Sequence, residues 1–451
     1  MSPENLPVVA RSTSSPGAGY GLFALQSIEP SKPLFSIPAK ALLNSLTLAP
    51  HYPPTKPRLT CTQFVSLHLM LHRPSDGHKS FDPLFGPYIS VLPRRFDFHP
   101  LTWLWKRRRN HETSTLENRL MQALPPRILA KLHKISNLFD KDWERVQKYL
   151  GSNPALHEKG TSAAGLEADY LWGWLNVNTR CVYHRLAKTR SDQDNMTLCP
   201  ILDFANHTTT PPYTLPQATH AELWDTGPST KRKFGDDFVL LSPSTASSSR
   251  GGELFLRYGA HSNATLFAEY GFVNLPSPEW THDEASGGEV ELGHLVEDLF
   301  RGRAEVGSWM KEVLVEEGYW GDWTIHSLPA PAYPSYRLIT TLRLYHILPM
   351  SANSVPVDTD QVLQEWRDTT LGKRDVISQK NESLWRATLK SICSDLITEA
   401  RQGVQKISLI KGTGDSPMWI DSARTCVDTL WKEEIDVATA VVKSLEENAE
   451  F

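Results

Sequence analysis

The sequence predicts an α+β protein: a β-rich domain split by a helical insert and followed by a helical tail. Three observations carry this. Short apolar runs punctuated by Gly and Pro fill residues 8–50 and return over 176–275. Apolar residues at helical spacing occupy the stretch from about 60 to 175. Helical spacing returns through roughly the last 160 residues with no repeat of fixed period, which favours a bundle over a solenoid. The boundaries so drawn are 1–60 and 171–285 for the two β-rich halves, 61–170 for the insert and 286–451 for an all-α tail.

In the first half, Val8-Val9-Ala10, Leu22-Phe23-Ala24 and Leu34-Phe35-Ser36-Ile37 read as strands, separated by a Gly-rich loop and a Pro30/Pro33 turn. In the insert, Leu67, Met70 and Leu71 suit one face of a short helix. Leu116, Leu120 and Leu124 form a second helix that stops at Pro125-Pro126. Leu129, Leu132, Ile135 and Phe139 continue at helical spacing, and a Trp-rich stretch, 166–175, leads into Val177-Asn178-Thr179-Arg180. Phe238–Leu241 and Glu253–Leu256 are strand candidates between irregular segments at 208–216 and 242–252. In the tail, Leu338/Leu342/Tyr345, Trp385/Leu389/Ile392/Leu396 and Val427/Trp431/Ile435/Ala438/Val442/Leu445 each fall on one helix face.

Composition excludes several classes. With 451 residues, 40% hydrophobic and 10% aromatic, the chain can bury a core and suggests two or three domains. No apolar run reaches eighteen residues, and the N-terminus lacks a basic-then-apolar signal, so neither a membrane span nor secretion is expected. A formal charge of −4 gives no global attraction to nucleic acid. The basic runs Lys106–Arg109 and Lys231-Arg232-Lys233 suit a solvated helix end and a loop, or else an import signal. Five scattered cysteines (Cys61, Cys181, Cys199, Cys393, Cys426) form no C-x-C or C-x-x-C pair. They indicate neither a disulfide framework nor a zinc site, and point to the reducing cytosol or nucleus.

Several motifs carry candidate chemistry. Gly17-Ala18-Gly19-Tyr20-Gly21-Leu22 fails as a dinucleotide fingerprint because Leu22 stands where the third Gly belongs; a turn or a close backbone approach to a ligand remain. Arg180 could hold a carboxylate bidentately, or be a surface residue. Asp203-Phe204-Ala205-Asn206-His207 follows a short apolar run. It offers no ligand-spaced second His for a metal, and the chain has no G-x-S-x-G elbow for a Ser-His-Asp site. Glu253-Leu254-Phe255-Leu256-Arg257-Tyr258-Gly259 and Glu269-Tyr270-Gly271-Phe272-Val273 place two tyrosines twelve positions apart, joined through a helix-like Asn263–Glu269.

In this order, Gly19–Ala24, Asn178-Thr179-Arg180, Asp203–His207, Glu253–Gly259 and Glu269–Val273 resemble the SET-domain protein-lysine methyltransferases. The resemblance is to the group containing Rubisco large-subunit and fungal ribosomal-protein lysine methyltransferases. It covers about 8–50 and 171–275 in motif, and nearly the whole chain in architecture. It implies a SET domain split by a helical insert and followed by a helical substrate-binding domain. It also implies S-adenosylmethionine as cofactor, without a metal, and a protein lysine as acceptor. Residue by residue, Gly19, Tyr20 and Gly21 would present backbone groups to the cofactor, and Arg180 would lie by its carboxylate. Asn206 and His207 would bind it through backbone and amide groups, with Tyr258 lining the transfer channel. Asp203 would shape the lysine pocket, and Tyr270 matches the family's catalytic tyrosine. Relatives place an aromatic residue after Tyr-Gly-Phe to close the lysine channel; here Trp280 is the candidate.

Methyl transfer from a sulfonium is an in-line displacement that depends on alignment and exclusion of water. A lysine of pKa near 10.4 is only about 0.1% neutral at pH 7.5, so the pocket must favour proton loss. The expected protein is a monomeric enzyme methylating a non-histone, perhaps ribosomal, protein in cytoplasm or nucleus, with no nucleic-acid or membrane partner. Histone-lysine methylation, protein-histidine methylation and a catalytically silent binding module are the alternatives. The missing zinc cysteines count against the first, and intact Asn206-His207 and Tyr270 against the last.

Overall fold

The computed structural model describes residues 6–13, 19–109, 115–156, 163–218, 234–275, 288–410, 417 and 419–451. Gly17, Ala18, the Lys231–Lys233 run and Trp280 lie outside them. The chain divides into two compact units. One comprises Met1–Arg108, Leu132–His261 and Ala268–Gly271; the other comprises Arg109–Lys131, Ser262–Phe267 and Phe272–Phe451.

The strands of the first unit are β1 (Val8–Ser12), β2 (Tyr20–Ala24), β3 (Pro33–Ile37), β4 (Val182–Tyr183), β5 (Met196–Thr197), β6 (Leu215–Pro216), β7 (Phe238–Leu241) and β8 (Glu253–Leu254). They make three small antiparallel sheets, ordered β1-β2-β8, β3-β7-β6 and β4-β5. In the first sheet Leu22 faces Leu254 and Phe23 faces Glu253, a register that brings the Gly-rich loop to the Glu253 strand. Phe35, Leu240, Leu254 and Leu202 close the core between these sheets.

The helices of this unit are α1 (Ser45–Leu48), α2 (Cys61–Leu71), α3 (Gly86–Ile89), α4 (Pro100–Arg109, whose last residue falls in the other unit) and α7 (Ala163–Arg180). Between α4 and α7 come α5 (Leu116–Gln122) and the long α6 (Pro126–Ser152), which belongs to the first unit from Leu132 onward. Thr60 caps α2 in a capping box with Gln63, fixing where that helix starts. The apolar faces of α2, α6 and α7 meet in a second core around Leu67, Phe139, Tyr170 and Trp174. The Trp-rich stretch keeps helical form through Arg180, so β structure begins six residues later than the sequence suggested. Asn178 Nδ2 and Thr179 Oγ1 donate back to the carbonyls of Trp174 and Leu175, which lets polar residues continue the helix. The expected strand over 253–256 is shorter. Beyond Leu254 it survives as isolated bridges from Leu256 to His207 and Thr214, because the facing segment is the irregular Asp203–His207 turn.

In the second unit, β9 (Glu289–Glu291), β10 (Thr324–His326) and β11 (Tyr333–Pro334) form an antiparallel sheet ordered β11-β10-β9. The tail is therefore not all-α. Each of these strands holds two or three residues, too few to leave an alternating pattern in the sequence. The remaining helices are α8 (Asn263–Tyr270), which ends in the first unit, then α9 (Gly293–Arg301), α10 (Ala304–Glu316), α11 (Tyr336–Tyr345), α12 (Thr359–Thr370), α13 (Gln379–Ser408) and α14 (Trp419–Glu446). Their shared core includes Trp323, Trp366, Trp385, Leu389 and Val441. Among the described residues no helix is long and apolar enough to cross a membrane.

Candidate functional site

Five sequence-predicted residues converge in the first unit. Arg180 is the last residue of α7 and points at the 3-10 turn Leu202–Phe204, which follows Ile201 in a left-handed conformation (φ 73°). Its Nη1 donates to the Asp203 carbonyl at 3.1 Å and reaches Asp203 Oδ2 at 3.5 Å. Tyr88 of α3 donates to the same Oδ2 at 3.2 Å. Burial pushes the Asp203 carboxyl up from its ordinary range, opposed by Arg180 and Tyr88. Arg180 Nε and Asp203 Oδ1 are both buried and make no hydrogen bond among the described residues.

Tyr258 stands against this turn. Its hydroxyl donates to the Ala205 carbonyl at 3.0 Å, and its backbone N–H donates to His207 Nδ1 at 3.1 Å. The Tyr258 and Tyr270 ring centroids lie 5.4 Å apart, so the two tyrosines separated by α8 do meet. Burial pushes both hydroxyls up to about 12, so both keep their protons at physiological pH. Burial, with His261 and Arg257 nearby, pushes His207 down to about 4 and keeps it neutral. Arg180, Asp203, Ala205, Tyr258 and Tyr270 border a cavity of about 540 Å³, which runs on between β4, β6 and the start of β7.

Of the Gly-rich loop, the described residues Gly19–Gly21 do not border that cavity; Tyr20 is tied to the site through Asn206. Asn206 Nδ2 donates to the Tyr20 carbonyl at 3.1 Å and to Glu253 Oε1 at 2.7 Å, while Leu256 N donates to the Asn206 carbonyl at 2.8 Å. A Cβ on Gly21 would stand 2.3 Å from Glu253 Oε1, so any other residue there would push that carboxylate off its bond to Asn206. Gly19 has φ +69° and open space around its Cβ direction. Tyr20 is 55% exposed and meets Phe204 edge-on.

Two residues with no local sequence signal, Tyr88 and His99, complete the arrangement, together with Ala205 and Glu253, which lie inside the motifs but to which the sequence assigns no role. His99 accepts from Leu101 N at Nδ1 (3.1 Å) and donates from Nε2 to the Glu269 carbonyl (3.0 Å), which fixes the backbone just before Tyr270. The cavity thus joins a guanidinium, a buried carboxylate with a spare acceptor, and two protonated tyrosine hydroxyls. Such a set can bind a zwitterion and orient a nucleophile by hydrogen bonds, without a strong base.

No protein-family model matches the sequence. The fold is the SET-domain methyltransferase fold. It is similar to the crystal structure of the SET domain of LSMT bound to lysine and AdoHcy, with a TM-score of 0.59 and 17% identity, over 98% of this chain and 87% of that one. In sequence the chain is similar to ribosomal lysine N-methyltransferase set11 of Schizosaccharomyces pombe, at 27% identity over 424 residues, covering 93% of this chain and 89% of that protein. It is also similar to SET domain-containing protein 4 of Homo sapiens, at 26% over 444 residues, covering 95% and 86%. The resemblance to SET-domain protein-lysine methyltransferases therefore runs over nearly the full chain.

Proposed function

We propose that this protein is an S-adenosylmethionine-dependent protein-lysine methyltransferase acting on a non-histone protein, a ribosomal protein foremost. The observation that carries the reading is the pair of unsatisfied buried atoms, Arg180 Nε and Asp203 Oδ1, beside the paired tyrosines of one cavity. An amino-acid end group carries a carboxylate for the first and an ammonium for the second, so the residues present fit the methionine moiety of that cofactor. When bound, S-adenosylmethionine supplies an electrophilic methyl group on a sulfonium.

The chain's own residues do the rest. Arg180 and Asp203 hold the amino-acid end, and Asn206 ties β2 to the turn that bears His207. Tyr258 borders the cavity, with its hydroxyl donating to the Ala205 carbonyl. Tyr270 lies beside it and adds a second hydroxyl. Burial around these rings disfavours an ammonium and promotes the proton loss that a lysine nucleophile needs. Alignment and exclusion of water supply most of the rate, in keeping with a site that lacks a strong base.

In this reading the β-rich halves form a SET domain split by the helical insert, and the tail from about 286 selects the protein substrate through remote contacts. Gly19, Tyr20 and Gly21 flank the cofactor, and Trp280, which lies outside the described residues, is the sequence's candidate for closing the lysine channel. The enzyme works as a monomer in cytoplasm or nucleus, without nucleic acid or membrane; the near-balanced charge supports the lack of a nucleic-acid partner. The test is to incubate the protein with labelled S-adenosylmethionine and a lysate from cells lacking it, then locate the label. Methyl-lysine in a ribosomal protein is expected, and Arg180→Ala should weaken cofactor binding by about 1–3 kcal/mol. Label confined to histones or to histidine, or none at all, would overturn the assignment.

A further inference from the structure

Outside the cavity, the first unit holds a second cluster that methyl transfer does not use. His68 lies within α2, and His72 follows its last residue, so the i, i+4 spacing puts both rings on one side. Asp82 comes from the connection to α3. His68 Nε2 lies 3.4 Å from Asp82 Oδ2, His72 Nε2 lies 3.8 Å from Asp82 Oδ1, and one ligand atom from each residue falls within 4.8 Å of the others. His68 and Asp82 are buried, at 1% and 6% exposure, whereas the His72 side chain is 32% exposed and opens the cluster to solvent.

Two details point to a ligand. His68 Nε2 is buried and its sole close polar neighbour among the described residues is the Asp82 carboxylate, at a loose 3.4 Å. Its other nitrogen, Nδ1, lies 2.8 Å from the Tyr52 hydroxyl. A histidine that binds a metal through one nitrogen characteristically hydrogen-bonds through the other, which fixes its tautomer. Two ligands on a tetrahedral ion at about 2.0–2.1 Å stand roughly 3.3–3.4 Å apart; His68 Nε2 meets Asp82 Oδ2 at that spacing, while His72 Nε2, at 3.8 Å from Oδ1, needs a small turn of its partly exposed ring.

We propose that His68 Nε2, His72 Nε2 and the Asp82 carboxylate form a site for a divalent first-row transition metal, zinc foremost, with water in the fourth position. Tyr52 accepts the Nδ1 proton of His68 and aims its Nε2 inward. The metal fastens the connection between α2 and α3. Asp82 Oδ2 already accepts from Phe85 N at 2.5 Å and its carbonyl from Gly86 N at 3.1 Å, so a fixed Asp82 fixes the start of α3. That helix carries Tyr88, which holds Asp203. The ion is thus structural, and it takes no part in methyl transfer.

The test uses the full chain, dialysed against a chelator and then titrated with zinc in a calorimeter and with cobalt in the visible spectrum. One zinc per chain, a tetrahedral cobalt band displaced by zinc, and a rise in melting temperature with zinc are expected. His72→Ala, at a half-exposed position beyond the helix, should abolish the cobalt band and the thermal shift. Tyr52→Phe should weaken zinc about 10–100-fold while leaving the stoichiometry at one. Absence of stoichiometric binding by the parent, or undiminished binding by His72→Ala, would overturn the proposal. Neither readout depends on methyltransferase activity, so failure here leaves the proposed function standing, and the reverse holds too.

Discussion

Tyr258 and Tyr270 share one cavity, and motif order gives the catalytic role to Tyr270. Tyr270→Phe keeps the ring and removes one polar group from the cavity, so it should slow single-turnover transfer by about 10²–10³. The Tyr258 hydroxyl donates to the Ala205 carbonyl, and Tyr258→Phe should slow transfer less. Neither change should alter cofactor affinity greatly, and Tyr258→Phe should lower stability by about 1 kcal/mol through the orphaned carbonyl. Parental rates in a Tyr270→Phe protein that melts near the parent would remove that hydroxyl from the mechanism. The motifs that brought these residues to attention were contiguous in sequence, whereas Ala205 acts through its carbonyl and Glu253 through a strand register. Such roles leave no mark on residue type.

At the scale of elements, the site is a junction between β turns and the helical insert. Strands β1, β2, β3 and β7 and the long tail helices were legible because apolar spacing persists along them, whereas the two- and three-residue strands left no pattern. The partners that lock the site were not. Tyr88 and His99 stand 115 and 170 residues from the groups they bond, a separation no local pattern bridges. His68 and His72 do not stand out in the sequence despite their i, i+4 spacing, because the third member depends on how the connection to α3 folds back. His99 gives this scale its test. Burial pushes it down to about 4 against an ordinary value near 6.5, so the folded state binds fewer protons than the unfolded state between those values. Its contribution is fully present above about pH 6.5 and is lost as pH falls towards 4, on the order of 3 kcal/mol. His207 shifts in the same direction. Denaturant unfolding from pH 7.5 to 4 should therefore show a shallower acid loss in His99→Gln than in the parent. An unchanged slope would mean that His99 is not buried as a neutral group.

At the scale of the molecule, the second unit gathers residues far apart in sequence around a buried charge. Arg127, in the first turn of α6, bonds Glu434 of α14 at 2.5 Å and approaches Glu433 at 3.9 Å, while Trp431 donates to the Ala123 carbonyl at 2.8 Å. Residues 116–131 thus share hydrogen bonds with the last helix, and a chain cut near residue 285 would expose them. Burial works against the Arg127 charge, but Glu434 and Glu433 outweigh it and keep the guanidinium ionised. Burial pushes both glutamates up, but only Glu434 bonds the guanidinium directly. Glu434→Gln removes the direct partner of a buried cation and should destabilise by about 3–5 kcal/mol at neutral pH. Glu433 is pushed up to about 7. Its folded state binds more protons than the unfolded state between about 4.5 and 7, so stability declines as pH rises through that window. Glu433→Gln stays neutral throughout and should lose less stability than the parent over the same rise. Chemical unfolding of both variants at pH 5 and pH 8 separates the cases. If Glu433→Gln destabilises as much as Glu434→Gln at pH 8, Glu433 is a full ionic partner of Arg127, and the burial that raises it has been overcome.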